Sequence, residues 1–352
     1  MSEIHINGKW LAQSMTGTQR YANEMVRALL TLAPERRFVV DVPADAEVPE
    51  WLVDSGARVH RSRWSGVTFE QLDLPLTTRG ALLLNFAGPA PLLKRKQLVT
   101  MHDATPFRFS STFRRSFVAF YAVMYFLLSR TAAHLVTVSR FSAGELADFL
   151  HVPAERFDVA HCAADGFDAV DEHAPDLGDT VDIAKSVVVV GTLAQHKNLP
   201  EPVNALVSEG FPVIVVGASG NPQVFSDASP LAAGATVAGR LDDAELAYLY
   251  RHCRALVFPS RYEGFGLPVV EAQVSGCPVV CSDAASIPEV AGEAAVFFAP
   301  GDAQAMIDAV RRVSEDTGLR TKLIRMGHDN ARRFSWRLSA ERVLEAITPS
   351  IH

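Results

Sequence analysis

The chain has 352 residues, of which 48% are hydrophobic and 21% are charged, so it is long enough for two domains with substantial cores. Forty acidic and 33 basic residues give a net charge of -7, which argues against sequence-independent binding to nucleic acid. The four cysteines show no metal-ligand spacing, and no apolar run is long enough to span a bilayer. We therefore expect a cytoplasmic protein without structural zinc, neither secreted nor integral to a membrane.

Short β-branched runs alternate with longer helical patterns in both halves of the chain, which predicts α/β domains with parallel sheets. In the N-terminal half we predict strands at Glu3–Asn7, Phe38–Val42, Ala81–Phe86, Gln97–Met101 and Leu135–Val138, and helices at Gln19–Leu32 and Phe141–Leu150. The alternation restarts at Ser186 with the strand-like runs SVVVVG, PVIVVG, TVAG, ALVFPS, PVVCS and AAVFF, and with helices at Asp243–Cys253 and from Leu267.

Composition divides the chain into four segments. We expect an N-terminal domain over residues 1–165, an acidic linker over 166–185, a C-terminal domain over 186–334 and a final helix over 335–352.

The densest motif is PSRYEGFGLPVVE at residues 259–271, which follows the run ALVF and opens a helix. Gly264 and Gly266 let backbone N–H groups approach a ligand closely, and the helix N-terminus behind them favours a phosphate. Glu263 and Glu271 are eight residues apart, so they are expected to face different parts of one ligand rather than to flank a single bond. The alternative is a structural turn with both glutamates on a solvated helix face.

The stretch at residues 258–302, FPSRYEGFGLPVVEAQVSGCPVVCSDAASIPEVAGEAAVFFAPGD, resembles the E-x7-E signature of the retaining glycosyltransferases of family 4. Further similar stretches are GTLAQHKNL, GRLDDAELAYLYRHC, TVSRFSAGEL and TGTQRYANEMVRAL, so the resemblance covers most of the chain. It implies the GT-B architecture, in which two Rossmann-like domains face each other across a cleft and a C-terminal helix crosses back.

The resemblance also implies a binding site for the sugar donor. Glu263 is expected to bind hydroxyls of the donor sugar, Glu271 the ribose diol, and Lys197 the diphosphate, whose charge grows as the glycosidic bond breaks. The residues implied in donor binding are Gly17, Thr18, Thr192, His196, Lys197, Gly264, Phe265, Gly266, Leu267 and Glu271.

Two parts of this implied site have open alternatives. Thr192 and His196 stand where many relatives carry a second basic residue, and His196 either supplies part of that charge or is a loop histidine exposed to water. The turn Thr16-Gly17-Thr18 either closes over the diphosphate or is a helix entry with Thr18 as the N-cap.

His102 and Asp103 follow a predicted strand, at the end where open α/β sheets bind ligands. The resemblance implies that His102 faces the reacting sugar and forms the catalytic set with Glu263 and Lys197, while the leaving phosphate takes the proton of the acceptor on the same face. The alternative for His102 is a buried histidine satisfied by a backbone carbonyl. We expect no metal and no cofactor beyond the nucleotide-sugar substrate, since no D-x-D lies at a plausible metal position.

Twelve consecutive apolar residues, 117–128, lie between Arg114-Arg115 and Arg130. As a helix they would reach about 18 Å, short of the roughly 30 Å core of a bilayer. This segment is either buried against the sheet or lies in an anionic membrane interface. We expect Asp103 and the three arginines to contact the acceptor or a membrane.

The resemblance implies a retaining hexosyltransferase that moves mannose from GDP-mannose to a glycan or lipid-linked glycan in polysaccharide or O-antigen assembly, in the cytoplasm or at the inner face of the cell membrane. A UDP-hexose or dTDP-rhamnose donor, or a catalytically silent binding protein of the same fold, is the alternative. A dehydrogenase is disfavoured, because the first strand leads into NGKWLAQSMTG rather than G-x-G-x-x-G.

Overall fold

The computed structural model describes residues 3–178, 181–217 and 233–350. Residues 179–180 of the expected linker, the first two residues of the chain and its last two residues lie outside the described residues. The expected parallel α/β organisation is confirmed, with one sheet in each half of the chain.

Within residues 3–178, seven parallel strands form the first sheet in the order β3-β2-β1-β4-β5-β6-β7. They are β1 (Ile4–Asn7), β2 (Phe38–Val42), β3 (Arg58–Arg61), β4 (Leu82–Asn85), β5 (Gln97–Thr100), β6 (His134–Thr137) and β7 (Phe157–Val159). The sequence missed β3 and β7, the two edge strands, because edge strands are not buried on both faces and lack a continuous apolar run.

Six parallel strands form the second sheet within residues 181–217 and 233–350, in the order β10-β9-β8-β11-β12-β13. They are β8 (Val187–Val190), β9 (Val213–Val216), β10 (Thr236–Gly239), β11 (Ala255–Phe258), β12 (Val279–Ser282) and β13 (Ala295–Phe298). Runs such as VVVV and VIVV form central strands because helices cover both faces of a parallel sheet.

The described residues contain the helices predicted at 19–32, 141–150, 243–253 and from 267, each confirmed to within two residues, together with helices whose bounds the sequence did not predict. They are α1 (Gly17–Leu32), α2 (Glu50–Asp54), α3 (Gly66–Thr68), α4 (Leu74–Thr77), α5 (Thr105–Arg108), α6 (Arg115–Thr131), α7 (Arg140–Leu150), α8 (Pro200–Ser208), α9 (Asp243–His252), α10 (Leu267–Val274), α11 (Ile287–Ala291), α12 (Ala303–Glu315), α13 (Thr317–Ala331) and α14 (Trp336–Ile347).

The chain folds into two compact units that are interleaved in sequence, whereas the expected domains were contiguous. Unit 1 contains the chain up to Ala104, residues Ala119–Cys162 and the chain from Ser335 onward, and unit 2 contains Thr105–Val118 and Ala163–Phe334. The final helix, α14, therefore packs in unit 1, against α1.

The expected linker is anchored to unit 2 by α9. The guanidinium of Arg251 donates hydrogen bonds to the carbonyl oxygens of Phe167, Asp168 and Val170 and pairs with Glu172 at 2.8 Å. Desolvation raises the pKa of the Glu172 carboxyl, but hydrogen bonds from His252 and from the same guanidinium outweigh it and hold that pKa below its usual value.

Candidate active site

Two loops of unit 2 carry the principal residues of the expected donor site. Strands β8 and β11 are neighbours in the sheet, at the point where the strand order reverses. Ligands of doubly wound sheets bind at such a point, beyond the carboxyl ends of the strands. The loop after β8 carries Lys197, and the loop after β11 carries Glu263.

Lys197 and Glu263 form an ion pair. The Nζ atom of Lys197 lies 2.8 Å from both carboxylate oxygens of Glu263. The Lys197 side chain is 22% exposed and the Glu263 side chain 9%, so the pair is screened only in part by water. An ammonium group and a carboxylate side by side offer hydrogen-bond donors to a phosphate and acceptors to sugar hydroxyls.

Hydrogen bonds join the two loops beside this ion pair. The backbone N–H of Arg261 donates to the carbonyl oxygen of His196 at 2.8 Å. The Asn198 side chain donates to the carbonyl oxygen of Pro259 at 3.3 Å, from a backbone with a φ of 51°. The two loops are therefore held together at their backbones as well as through the ion pair.

Ser286 is a residue of this site that the sequence reasoning missed. Its buried hydroxyl lies 2.9 Å from the carbonyl oxygens of both Glu263 and Phe265, so it fixes the backbone of the motif loop. These contacts join residues 23 and 21 positions apart. A serine before Ile-Pro marks a helix start in the sequence and gives no sign of such a long-range contact.

The motif loop ends at Gly266, which precedes α10. Its φ of 99° is a conformation that side-chain-bearing residues rarely adopt, which explains the glycine. The ring of Phe265 is buried and packs edge-on against Phe334, with the centroids 5.3 Å apart. Gly264 is buried in the same loop, and Leu267 is the first residue of α10.

Burial decides two of the open alternatives in unit 2. Glu263 is 8% exposed and Glu271 4%, so the reading of both as solvated helix residues is wrong. His196 is 7% exposed, so it is not a loop histidine in water; the rings of Phe109 and Phe113 pack against it. Thr192 is half-buried in the same loop as His196.

His102 lies in unit 1, directly after β5 and Met101. Its Nε2 atom lies 2.9 Å from the carbonyl oxygen of Phe86, and the ring of Tyr21 meets it edge-on at 5.0 Å. Burial lowers the pKa of His102, opposed by the Phe86 carbonyl and by Asp103. Because a carbonyl only accepts, the neutral ring carries its proton on Nε2, and Nδ1 is an acceptor. The carbonyl contact of the alternative is therefore observed, on a half-buried ring, and it orients that ring.

The turn before α1 differs from the expected helix entry. The helix begins at Gly17 rather than Gln19, and its N-cap is Thr16, so the alternative of Thr18 as N-cap is wrong. The hydroxyl of Thr16 contacts the side chain of Gln19. A Cβ on Gly17 would meet open space, so packing does not demand the glycine.

The basic, apolar segment forms α6, which is neither wholly buried nor wholly exposed. Met124, Tyr125, Leu128 and Ser129 are buried, whereas Phe120, Val123, Phe126 and Leu127 are 40% to 60% exposed. Arg114 and Arg115 are exposed at its start. Arg130 lies over the ring of Phe126 and donates to the carbonyl oxygen of Leu150.

In residues 3–178, 181–217 and 233–350, no group of three His, Cys, Asp or Glu side chains could hold a metal ion. No helix in that part of the chain has both the length and the apolar character needed to cross a bilayer.

The two doubly wound sheets have the GT-B fold of glycosyltransferases. Sucrose-phosphate synthase from Thermosynechococcus elongatus superposes with a TM-score of 0.72 at 17% identity, over 100% of this chain and 99% of that one. HepE of Anabaena, solved with UDP-glucose, gives a TM-score of 0.70 at 16% identity, over 99% of this chain and 100% of that one.

Residues 181–329 match the family model of glycosyl transferases group 1, so this part of the chain is a glycosyltransferase domain of that group. Two curated relatives are named as mannosyltransferases. O-antigen chain mannosyltransferase B of Escherichia coli is 42% identical over 28% of this chain and 26% of its own length. O-antigen chain mannosyltransferase RfbU of Salmonella typhimurium is 26% identical over 64% of this chain and 62% of its own length. The chain therefore spans less than two thirds of both relatives.

Proposed function

We propose that the chain is a retaining mannosyltransferase of family 4 that uses GDP-mannose and a glycan or lipid-linked glycan acceptor. The observation that carries this proposal is the pair Lys197–Glu263 on adjacent loops at the reversal point of the second sheet. The names of the curated relatives support mannose as the sugar and O-antigen assembly as the setting.

In this proposal the residues of unit 2 bind the donor. Glu263 accepts hydrogen bonds from the sugar hydroxyls, and Glu271 accepts them from the ribose diol. Lys197 neutralises the diphosphate as its charge grows, together with backbone N–H groups at Phe265–Leu267. These charges need no bound metal. The leaving phosphate takes the proton of the acceptor hydroxyl on the same face of the sugar.

In unit 1, His102 would position the sugar or the acceptor. Its neutral ring presents Nδ1 as an acceptor for a hydroxyl, while the carbonyl oxygen of Phe86 holds Nε2. Gly17 and Thr18 would contact the diphosphate, and Asp103 the acceptor. His196 would add positive charge to the donor site when it is protonated.

The donor is tested by thermal unfolding with GDP-mannose, UDP-glucose and dTDP-rhamnose at equal concentrations. A ligand that binds the native state raises its stability, by about 2.7 kcal/mol at 100 times its Kd. We expect GDP-mannose to give the largest rise in Tm. A larger rise in Tm with UDP-glucose or dTDP-rhamnose would identify that compound as the donor instead of GDP-mannose. No rise in Tm with any of the three would favour a catalytically silent protein.

The site is tested by Glu263→Ala, which is expected to abolish turnover with little loss of folding, because Lys197 keeps access to water. Glu209→Ala is a matched control, since Glu209 forms an exposed ion pair with Arg311 in the same unit at 3.1 Å. The control should keep wild-type activity. Wild-type turnover in Glu263→Ala would overturn the assignment of the site.

A second part of the proposal is peripheral contact with an anionic membrane through α6. The exposed apolar side chains Phe120, Val123, Phe126 and Leu127 follow two exposed arginines, and each arginine near an anionic surface contributes about 1 kcal/mol. We expect sedimentation with phosphatidylglycerol vesicles at low salt, weaker binding at high salt, and a loss in Val123→Ser. Leu338→Ser, at an exposed apolar position on α14, is the control. Absence of binding to the vesicles at low salt would contradict the proposed membrane contact.

A further inference from the structure

A short segment of the N-terminal half packs in unit 2 rather than in unit 1. This segment, Thr105–Val118, follows β5 and contains α5 and the start of α6. Its aromatic side chains lie against the loop after β8. The ring of Phe109 lies 5.8 Å from the ring of His196, and the ring of Phe113 stacks on His196 at 6.4 Å with an interplanar angle of 17°.

Phe109 also contacts the second loop of the site. Its ring centroid lies 5.7 Å from that of Tyr262. His196 directly precedes Lys197, and Tyr262 directly precedes Glu263. One side chain, far away in sequence, therefore touches the immediate neighbours of both members of the ion pair.

Further contacts hold the same arrangement. His196 and Tyr262 are both buried. The hydroxyls of Ser111 and Thr112 lie 3.3 and 3.4 Å from the Gln195 side-chain oxygen, two residues before Lys197. The hydrogen bond from the Arg261 N–H to the His196 carbonyl joins one residue on which Phe109 packs, His196, to the residue that precedes the other, Tyr262. A rigid ring packed on both loops limits how far their backbones can separate.

We propose that Phe109 is a positioning residue for the donor site, which sets the spacing of the loops that bear Lys197 and Glu263. This inference rests on the proposed role of these two residues in donor binding. Phe109 acts through His196 and Tyr262 and touches no reacting atom. Loss of the Phe109 ring does not change the side chains of Lys197 and Glu263, but it allows the two loops that bear them to move apart.

The first experiment needs no ligand and compares backbone hydrogen exchange in the wild type, Phe109→Ala and Phe109→Leu. The Arg261 amide, which joins the loops, should exchange faster in Phe109→Ala and by an intermediate amount in Phe109→Leu, which keeps part of the volume. Phe211→Ala is the matched control, since Phe211 is half-buried against the core of unit 2, just before β9 at the opposite end of the strands. It should leave Arg261 unchanged relative to the rest of unit 2.

The second experiment measures the affinity for GDP-mannose by calorimetry, and KM and kcat by turnover. Phe109→Ala should weaken binding of the donor about two- to tenfold, as expected for the loss of an aromatic contact. KM for the donor should rise more than kcat falls. In a double-mutant cycle with Lys197→Ala, the two effects on affinity should be non-additive, because Phe109 acts through the same group.

The outcomes separate this inference from the proposed function. If the wild type binds no GDP-mannose, the donor assignment fails, while the exchange of Arg261 still tests the positioning role. If the wild type binds and Phe109→Ala exchanges and binds like the wild type, the inference is overturned. An additive cycle with Lys197→Ala also overturns it. If Phe109→Ala does not fold, the same measurements are made on Phe109→Leu and compared with the wild type.

Discussion

His102 shows how one backbone contact determines both the orientation and the protonation of a side chain. The carbonyl oxygen of Phe86 fixes Nε2–H, and burial against Tyr21 favours the uncharged ring. The sequence placed His102 at a strand end, where ligands bind. It left the carbonyl contact as an alternative, because the partner lies 16 residues away on a neighbouring strand end.

The lowered pKa of His102 predicts a pH dependence of stability. Because the unfolded state takes up the proton near pH 6.5, stability is lost as the pH falls below 6.5, until the folded pKa is passed. The loss is at most about 1.4 kcal/mol per pH unit for one group. Urea unfolding at pH 7.5 and 5.5 should show that the free energy of unfolding falls more between these pH values in the wild type than in His102→Gln. His134 and Asp158 titrate in both proteins, so equal losses would contradict the prediction.

At the scale of the elements, the central strands and long helices were predictable because each carries its own periodic pattern. Val187–Val190 and Val213–Val216 are apolar throughout, and α1 shows helical spacing from its first turn. The strand RVHR is exposed at both ends of its burial pattern, and its position is set by pairing with β2 rather than by its own sequence. Such pairings are tertiary contacts, so a local sequence pattern does not reveal them.

The position of α10, which bears Glu271, depends on polar contacts that the sequence did not reveal. Gln273 donates to the carbonyl oxygens of Ala291 and Ala294, and its own side-chain oxygen accepts from Asn330 of α13 at 2.7 Å. Gln273 is fully buried, and Asn330 is nearly so. A glutamine and an asparagine 57 residues apart form no motif, yet together they join α10, α11 and α13.

Removal of either partner should destabilise unit 2. Asn330→Ala leaves buried polar groups of Gln273 and the Val290 carbonyl without their bond, at a cost of about 1–3 kcal/mol. Gln273→Ala should cost a similar amount, and the double variant less than the sum. Chemical denaturation measures all three. Gln304→Ala, which removes an exposed hydrogen bond to Asp308, should change stability by less than about 0.5 kcal/mol. Additive losses in the cycle would show that the two side chains act independently.

At the scale of the whole molecule, segments that are far apart in the sequence pack in the same unit. The apolar spacing of residues 335–352 predicts a helix with one buried face, but a helical pattern alone does not show which elements that face packs against. In the structure, Trp336 of α14 packs against Tyr21 of α1 with ring centroids 5.7 Å apart. Ser339 donates to the His161 carbonyl at 2.7 Å. The end of the chain therefore stabilises the unit that its beginning forms.

This arrangement predicts that a substitution at the C-terminal end weakens the N-terminal unit selectively. Trp336→Ala should cost about 3–5 kcal/mol, since it removes a large buried side chain from the α1–α14 contact. The remaining tryptophans, Trp10, Trp51 and Trp64, all lie in unit 1, so their fluorescence reports unfolding of that unit.

In urea, the fluorescence transition of Trp336→Ala should move to a lower concentration than that of the wild type. Leu338→Ala, on the exposed side of the same helix, should leave it in place. Hydrogen exchange at β8 and β11 should not change at concentrations below that transition, because these strands have their own core in unit 2. Equal acceleration in both sheets would show instead that the two units unfold as one cooperative body, and that α14 stabilises the whole chain rather than unit 1.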